Sequence, residues 1–387
     1  PRFLLNLKVD YTDGSSEIIR SDSSWKTSLS PVIFNSIYTA EHVDARLDQK
    51  GWNMPGFNNN SWENAIPVAA PSSHIVAQSI QPIRLTDTLK PVSLKKINDT
   101  SYVYDMGRNI SGITQLDSIG NVDLTNINVH YRPTNDSDPF QTDIYTLSGD
   151  GLETFSPKFN YKGFQYVRVT SDQPFVVDKE SLTGYFAHSD VPQIGTITSS
   201  NEIINKIWEA TNAAYLSNLF GYPTDCPQRE KNGWTGDAHI NIETGLYNFD
   251  AITIYEKWMA DHRDEQQPNG VLPSIIPTWG WGYDWGNGPD WTSTIAIIPW
   301  ELYQFYGDDT ALIDNYEAIK KYVDHITETS RESGLTDWGL GDWVPVKSVT
   351  PKEFTSSIYY FVDATILAKT AKHLKKEEDY EFYSTLA

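Results

Sequence analysis

The hydrophobic period of the chain changes once, near residue 198, and that change limits the architectures open to it. Upstream, apolar residues alternate in short runs. Phe3 to Tyr11 and Ser16 to Arg20 flank the turn Thr12-Asp13-Gly14-Ser15, which reads as a hairpin. Polar clusters such as Pro55-Gly56-Phe57-Asn58-Asn59-Asn60-Ser61-Trp62 separate further short strands, the pattern of a β-sandwich. A second β-rich stretch begins at about Leu89 and includes Tyr102-Val103-Tyr104, Ile127-Asn128-Val129-His130-Tyr131 and Phe164-Gln165-Tyr166-Val167. Nothing between Leu89 and Phe186 sustains a helical period. Downstream, Ser199 to Trp208 places apolar residues at helical spacing behind a Ser/Asn cap. Helices are expected at about 200–219, 237–248, 250–266, 292–306, 309–332, 355–374 and 376–387, joined by Gly- and aromatic-rich loops. The expected fold is multidomain β + α. Residues 1–88 form one β-sandwich domain and 89–197 a second, while 198–387 belong to an α/α toroid with its site at one mouth.

Between the first two expected helices lies Pro223 to Asp237, a Pro- and Gly-punctuated loop carrying Asp225, Arg229, Glu230, Trp234 and Asp237. Its side chains suit a sugar: carboxylates for hydroxyls and acid/base work, a flat indole for the apolar face of a pyranose. Any one of them alone reads as part of an acidic helix cap with a buried Trp; together they read as a site. Lys plus Arg number 30 against 51 Asp plus Glu, a formal charge of −21, which argues against a nucleic-acid or anionic-membrane partner. No apolar run reaches membrane-spanning length. Thirteen Trp and 22 Tyr supply rings that stack on sugars, although most belong to cores and interfaces. Cys226 is the single cysteine, so an internal disulfide is excluded. Beside carboxylates that hinder a thiolate, it reads as a small packing residue. The histidines never fall at metal-ligand spacing and no loop has a run of Ca²⁺ ligands, so no metal or cofactor is expected.

The run Asp225-Cys226-Pro227-Gln228-Arg229-Glu230, continued by Gly233-Trp234-Thr235-Gly236-Asp237, resembles the signature of the α-L-rhamnosidases of glycoside hydrolase family 78. Ser36 to Arg46, Gly51-Trp52, Pro55-Gly56-Phe57 and Trp62 resemble the family's N-terminal β-domain, and Tyr104 to Gly112 and Phe159 to Val167 its second. Pro299 to Asp308 and Gly341-Asp342-Trp343 are similar to stretches of its catalytic domain, so the resemblance covers essentially the whole chain. It implies an (α/α)6 barrel, incomplete here, that removes terminal α-linked L-rhamnose from a carbohydrate substrate by single displacement with inversion. For an external glycan it implies a secreted or periplasmic enzyme.

An inverting hydrolase needs one protonated carboxyl to release the leaving oxygen and a second carboxylate about 6.5–9.5 Å away to activate water. The resemblance places the general acid on Glu230. Like-charge repulsion from Asp225 and Asp237 would help such an acid keep its proton, while Arg229 opposes it. Asp225, Arg229 and Asp237 are expected to hold sugar hydroxyls, and Trp234 to stack on or wall the ring. Some members carry an extra acidic residue between the Arg and the Glu, whereas here Arg229 meets Glu230 directly. A second wall is expected from the tryptophan loop Pro277 to Trp291, and a third from Trp343. Trp291 and Trp343 best match family positions, with Trp281 and Trp285 as further candidates. Asp290 and Asp342 read equally as hydroxyl ligands or as helix caps.

The resemblance puts the general base, a Glu, downstream of Ala387, and the helical pattern runs through Lys375 to Ala387 without a stop signal. The chain is therefore expected to hold part of a toroid, to turn over little by itself, and to self-associate through open helix faces. Two other readings stay open: another (α/α)6 glycoside hydrolase, or a carbohydrate-binding fragment without catalysis.

Overall fold

The computed structural model describes residues 2–70, 72, 75–119, 126–131, 140–284, 287–347 and 350–387. Trp285 lies outside them. In chain order the strands are β1 (Asn6–Asp10), β2 (Ser16–Arg20), β3 (Lys26–Thr27), β4 (Val32–Asn35), β5 (Glu41–Asp44), β6 (Glu63–Asn64) and β7 (Ile83–Leu89). There follow β8 (Ser93–Asn98), β9 (Ser101–Ile119), β10 (Asn126–His130), β11 (Thr142–Thr146), β12 (Glu153–Phe155), β13 (Lys162–Ser171) and β14 (Leu182–Ser189).

The expected hairpin is β1–β2, with Asp10 opposite Ser16 across a turn that uses Gly14 at φ 86°. β3 and β6 form a second small pair. The remaining ten strands make one sheet in the order β4-β5-β11-β10-β13-β9-β14-β7, with β8 and β12 also paired to β9. All its pairings are antiparallel except β5 with β11. Period-2 alternation buries Val167 and Val169 of β13 against Ile127 and Val129 of β10, and Tyr104 and Leu116 of β9 join the same core.

The parallel join of β5 to β11 is held by a buried polar network. The Lys162 ammonium pairs with Asp143 at 2.9 Å, both side chains fully buried, and Asn160 accepts from the same ammonium at 2.5 Å. Asp143 also accepts from the Glu41 N–H at 2.7 Å, and the Glu41 carboxylate accepts from the N–H groups of Lys158 and Phe159. Burial lowers the pKa of Lys162, and the charge of Asp143 opposes that shift.

Eight α-helices follow among the described residues: α1 (Glu202–Ser217), α2 (Thr235–Asn248), α3 (Ile252–Glu265), α4 (Pro289–Thr292), α5 (Thr294–Tyr306), α6 (Thr310–Thr329), α7 (Lys352–His373) and α8 (Glu377–Leu386). The seven expected helices are present. The addition is α4, a single turn started by Pro289 and separated from α5 by Ser293. Helices α2, α5 and α7 pack in succession, backed by α1, α3, α6 and α8, the alternation of an (α/α)6 toroid. Their shared core centres on Tyr255, Trp258, Ile295, Leu302, Ile319, Tyr322 and Leu367. Ile203 and Ile207 of α1, Ile240 and Tyr247 of α2, and Phe354 and Phe361 of α7 are exposed. Among the described residues no helix is long and apolar enough to cross a membrane.

Removing one partner of the Lys162–Asp143 pair leaves a buried charge unpaired. Lys162→Met is expected to cost about 3–5 kcal/mol, and Lys162→Met with Asp143→Leu distinctly less. Chemical denaturation of the two variants checks this, and equal losses would contradict it.

Candidate active site

The loop after α1 is shaped by a few short-range bonds. The Asp225 N–H donates to the Asn232 carbonyl at 3.1 Å, and the Asn232 N–H donates back to Asp225 Oδ1 at 3.0 Å. The Cys226 thiol donates to Asp225 Oδ2 at 2.8 Å, and Cys226 Sγ accepts from the Glu230 N–H at 3.3 Å. Cys226 is therefore a hydrogen-bonding member of the loop, only partly buried, and not simply a packing residue.

The far end of the loop is fixed to the segment before the tryptophan loop. The Ile276 N–H donates to the Gly233 carbonyl, and Thr235 gives both its N–H and its hydroxyl to the Ser274 carbonyl at 2.9 Å. A Cβ on Gly233 would stand 2.0 Å from the Ile276 carbonyl oxygen, so only glycine allows this approach. Trp234 is thereby held, 8 % exposed, and its indole N–H donates to Glu230 Oε2 at 2.7 Å. Asp237 follows in the first turn of α2.

The tryptophan wall is built the same way. A Cβ on Gly236 would lie 2.7 Å from the Trp291 indole, so that ring rests directly on the first turn of α2. Trp343 meets Trp291 edge to face, with centroids 6.1 Å apart. The buried Asp290 carboxylate accepts from the N–H groups of Gly341 at 2.6 Å and Leu340 at 3.2 Å, which pins the loop that carries Trp343. The N-cap of α4 is Gly288, so Asp290 is a loop clamp in place of a helix cap.

These elements enclose a cavity of about 380 Å³ lined by Asp225, Cys226, Arg229, Glu230, Trp234, Gly236, Asp237, Ile240, Asp290, Trp291, Leu340 and Trp343. Asp225, Arg229, Glu230, Trp234, Asp237, Trp291 and Trp343 thus converge from three separate segments of the chain. Asp342 and Trp281 do not line it: Asp342 accepts from the Thr350 hydroxyl at 2.9 Å, and Trp281 lies exposed in its own loop. Sequence reasoning missed Ile240 and Leu340. Ile240 could have been found, since it stands one turn after Asp237 on the same side of α2.

Burial is the main cause that pushes Asp237 up to about 6, helped by the charges of Asp225 and Glu230. Burial also raises Asp225, but the bonds from Cys226 and Asn232 pull it back. Arg229 forms no ion pair among the described residues and is exposed at the rim. Asp225, Cys226 and Glu230 form the one group of metal-type ligands that converges among the described residues. Burial and the Asp225 carboxylate raise the Cys226 thiol, which disfavours the thiolate that an ion would need.

Carboxylates and indoles gathered around one cavity in a helical α/α array define a site of the kind that glycosidases use. Comparison with known proteins narrows this. The profile of the bacterial alpha-L-rhamnosidase 6 hairpin glycosidase domain matches residues 192–387, that of the alpha-L-rhamnosidase N-terminal domain 1–87, and that of the bacterial alpha-L-rhamnosidase concanavalin-like domain 95–188. The chain belongs to the bacterial α-L-rhamnosidase family. It is 30 % identical over 394 residues to an alpha-L-rhamnosidase of Streptomyces avermitilis, covering 97 % of this chain and 37 % of that protein. The solved alpha-L-rhamnosidase of Dictyoglumus thermophilum superposes with a TM-score of 0.91 at 36 % identity, over 99 % of this chain and 45 % of that one. The Streptomyces avermitilis enzyme solved with L-rhamnose gives 0.90 at 29 % identity, over 99 % and 38 %. The chain thus spans less than half the length of these relatives.

Because its folded pKa is raised, Asp237 is more easily protonated in the folded than in the unfolded chain. Its contribution to stability is present below about pH 4 and is lost as pH rises to about 6. The melting temperature of Asp237→Asn relative to the parent is therefore expected to climb between pH 4 and 6 and to level off above. A difference that stays flat across this range contradicts the burial of this carboxyl.

Proposed function

We propose that the cavity takes a terminal α-linked L-rhamnosyl unit and that Glu230 protonates the departing glycosidic oxygen. The observation that carries this reading is the way Glu230 is held. One carboxyl oxygen is fixed by the Trp234 indole, and the other has no hydrogen-bond partner among the described residues, which leaves it to the cavity. The names of the relatives support the substrate, as does the L-rhamnose complex of the Streptomyces avermitilis enzyme.

The remaining side chains divide the recognition. Asp237 and Arg229 offer acceptors and donors to sugar hydroxyls, directional bonds that distinguish one hydroxyl stereochemistry from another. Trp291 and Trp343 offer ring faces and edges to the C–H and methyl surface of a 6-deoxy sugar. Asp225 is largely spent on its own loop and Asp290 on the loop that carries Trp343, so neither is the water-activating base. We assign displacement with inversion.

Kinetics on an alkyl α-L-rhamnoside, whose leaving group needs a proton, test this, using the longest native form that contains these residues. Glu230→Gln is expected to lower kcat by about 10²–10⁴-fold with little change in KM. Turnover that survives this change removes Glu230 from the role. Trp234→Phe, which deletes the N–H held by the acid together with part of the ring, is expected to lower kcat about tenfold or more. Proton NMR of the first product should show the β anomer, and the α anomer appearing first would overturn inversion.

A further inference from the structure

We propose that Lys231 is a positioning residue through which the β-rich part of the chain holds the general acid in place. The inference rests on the assignment of Glu230 above. Lys231 is its immediate neighbour, yet the two side chains serve different regions. Lys231 has a φ of 52°, a left-handed conformation that residues other than glycine rarely adopt, and the residue is 3 % exposed. Its ammonium donates to the Ile37 carbonyl at 2.5 Å and to the Tyr161 carbonyl at 2.7 Å, and stands 4.7 Å from the centre of the Tyr161 ring. None of the described carboxylates forms an ion pair with it. Its partners are backbone carbonyls from the loop between β4 and β5 and from the approach to β13, with one aromatic face.

Burying a cation on carbonyls and one ring face, without a carboxylate among the described residues, is costly, so its presence calls for a reason. Burial, with the like charge of Lys162 second, pushes its pKa down to about 7. Two further contacts join the same surfaces. The Tyr38 hydroxyl donates to Asn232 Oδ1 at 3.3 Å. Gly163 lies so close that an added Cβ would stand 3.0 Å from Pro227 and Gln228 side-chain carbons. Beneath them Tyr161 stacks on Phe220, with centroids 3.7 Å apart and planes 8° apart. The loop is thus docked on the β-rich part at Pro227–Gln228, Lys231 and Asn232, on both sides of Glu230. With the Lys231 plug released, the residue next to the acid loses its fixed point, and the reach of Glu230 to the glycosidic oxygen loosens by fractions of an ångström, enough to slow proton transfer.

A misplaced acid matters in proportion to the leaving group's need for a proton, and this separates positioning from general destabilisation. Lys231→Met and the parent, each in the longest native form containing these residues, are compared on an alkyl and on a nitrophenyl α-L-rhamnoside. Expected is a fall in kcat of about 100-fold on the alkyl glycoside, against less than about fivefold on the nitrophenyl one, with KM within about twofold. Tyr38→Phe, which removes one loop contact without emptying the core, shifts the ratio the same way by a smaller factor. Equal losses on both substrates, as from a smaller folded fraction, overturn the proposal. Hydrogen exchange gives a readout independent of turnover: amides 226–234 exchange faster in Lys231→Met while those of α6 do not. Unchanged exchange in the loop overturns the docking. If the parent hydrolyses neither rhamnoside, the proposed function fails, and exchange still decides whether Lys231 holds the loop.

Discussion

Asp225 closes the acid loop on itself. Its N–H and one carboxylate oxygen exchange hydrogen bonds with the two backbone groups of Asn232, and its other oxygen takes the Cys226 thiol, whose sulfur in turn receives the Glu230 N–H. A loop segment with glycines and several charged side chains would otherwise sample many conformations, and fixing one of them costs entropy. Closing it on one carboxylate sets where Glu230 and Trp234 start from, and the indole bond to Glu230 then sets where the acid ends. The cavity exists because these bonds place both residues beside Asp237 on the first turn of α2.

Two frames hold the closed loop. On one side Gly233 and Thr235 tie it to Ser274 and Ile276, ahead of the tryptophan loop. On the other, Lys231 and Asn232 tie it to Ile37, Tyr38 and Tyr161. The same region concentrates unfavourable electrostatics: Asp225 and Asp237 are raised mainly by burial, and Lys231 is lowered by it. Sites commonly carry such costs because the chemistry needs those groups away from water.

Much of this was legible in the sequence. The period change at residue 198, the first hairpin and seven helices follow from local spacing, and the five polar and aromatic residues chosen from the 225–237 loop do line one cavity. What stayed hidden depends on partners distant in sequence. Asp290 reads equally as a hydroxyl ligand or as a cap, but its oxygens go to Leu340 and Gly341, about fifty residues on. Trp281 and Trp291 sit alike in a glycine-rich run, and the family match that favours Trp291 is explained only by the fold, where its ring rests on Gly236 and lines the cavity while Trp281 is exposed. The parallel pairing of β5 with β11 rests on a buried Lys162–Asp143 pair that no alternation pattern announces. Cys226 looks like packing until its sulfur is seen between two loop groups.

The most direct measurement is a crystal structure of the chain soaked with L-rhamnose. The sugar is expected in the cavity of about 380 Å³, with hydroxyls on Asp237 and Arg229, its apolar face against Trp291 and Trp343, and the anomeric carbon toward Glu230. A rhamnose bound elsewhere while this cavity holds only solvent would contradict the account.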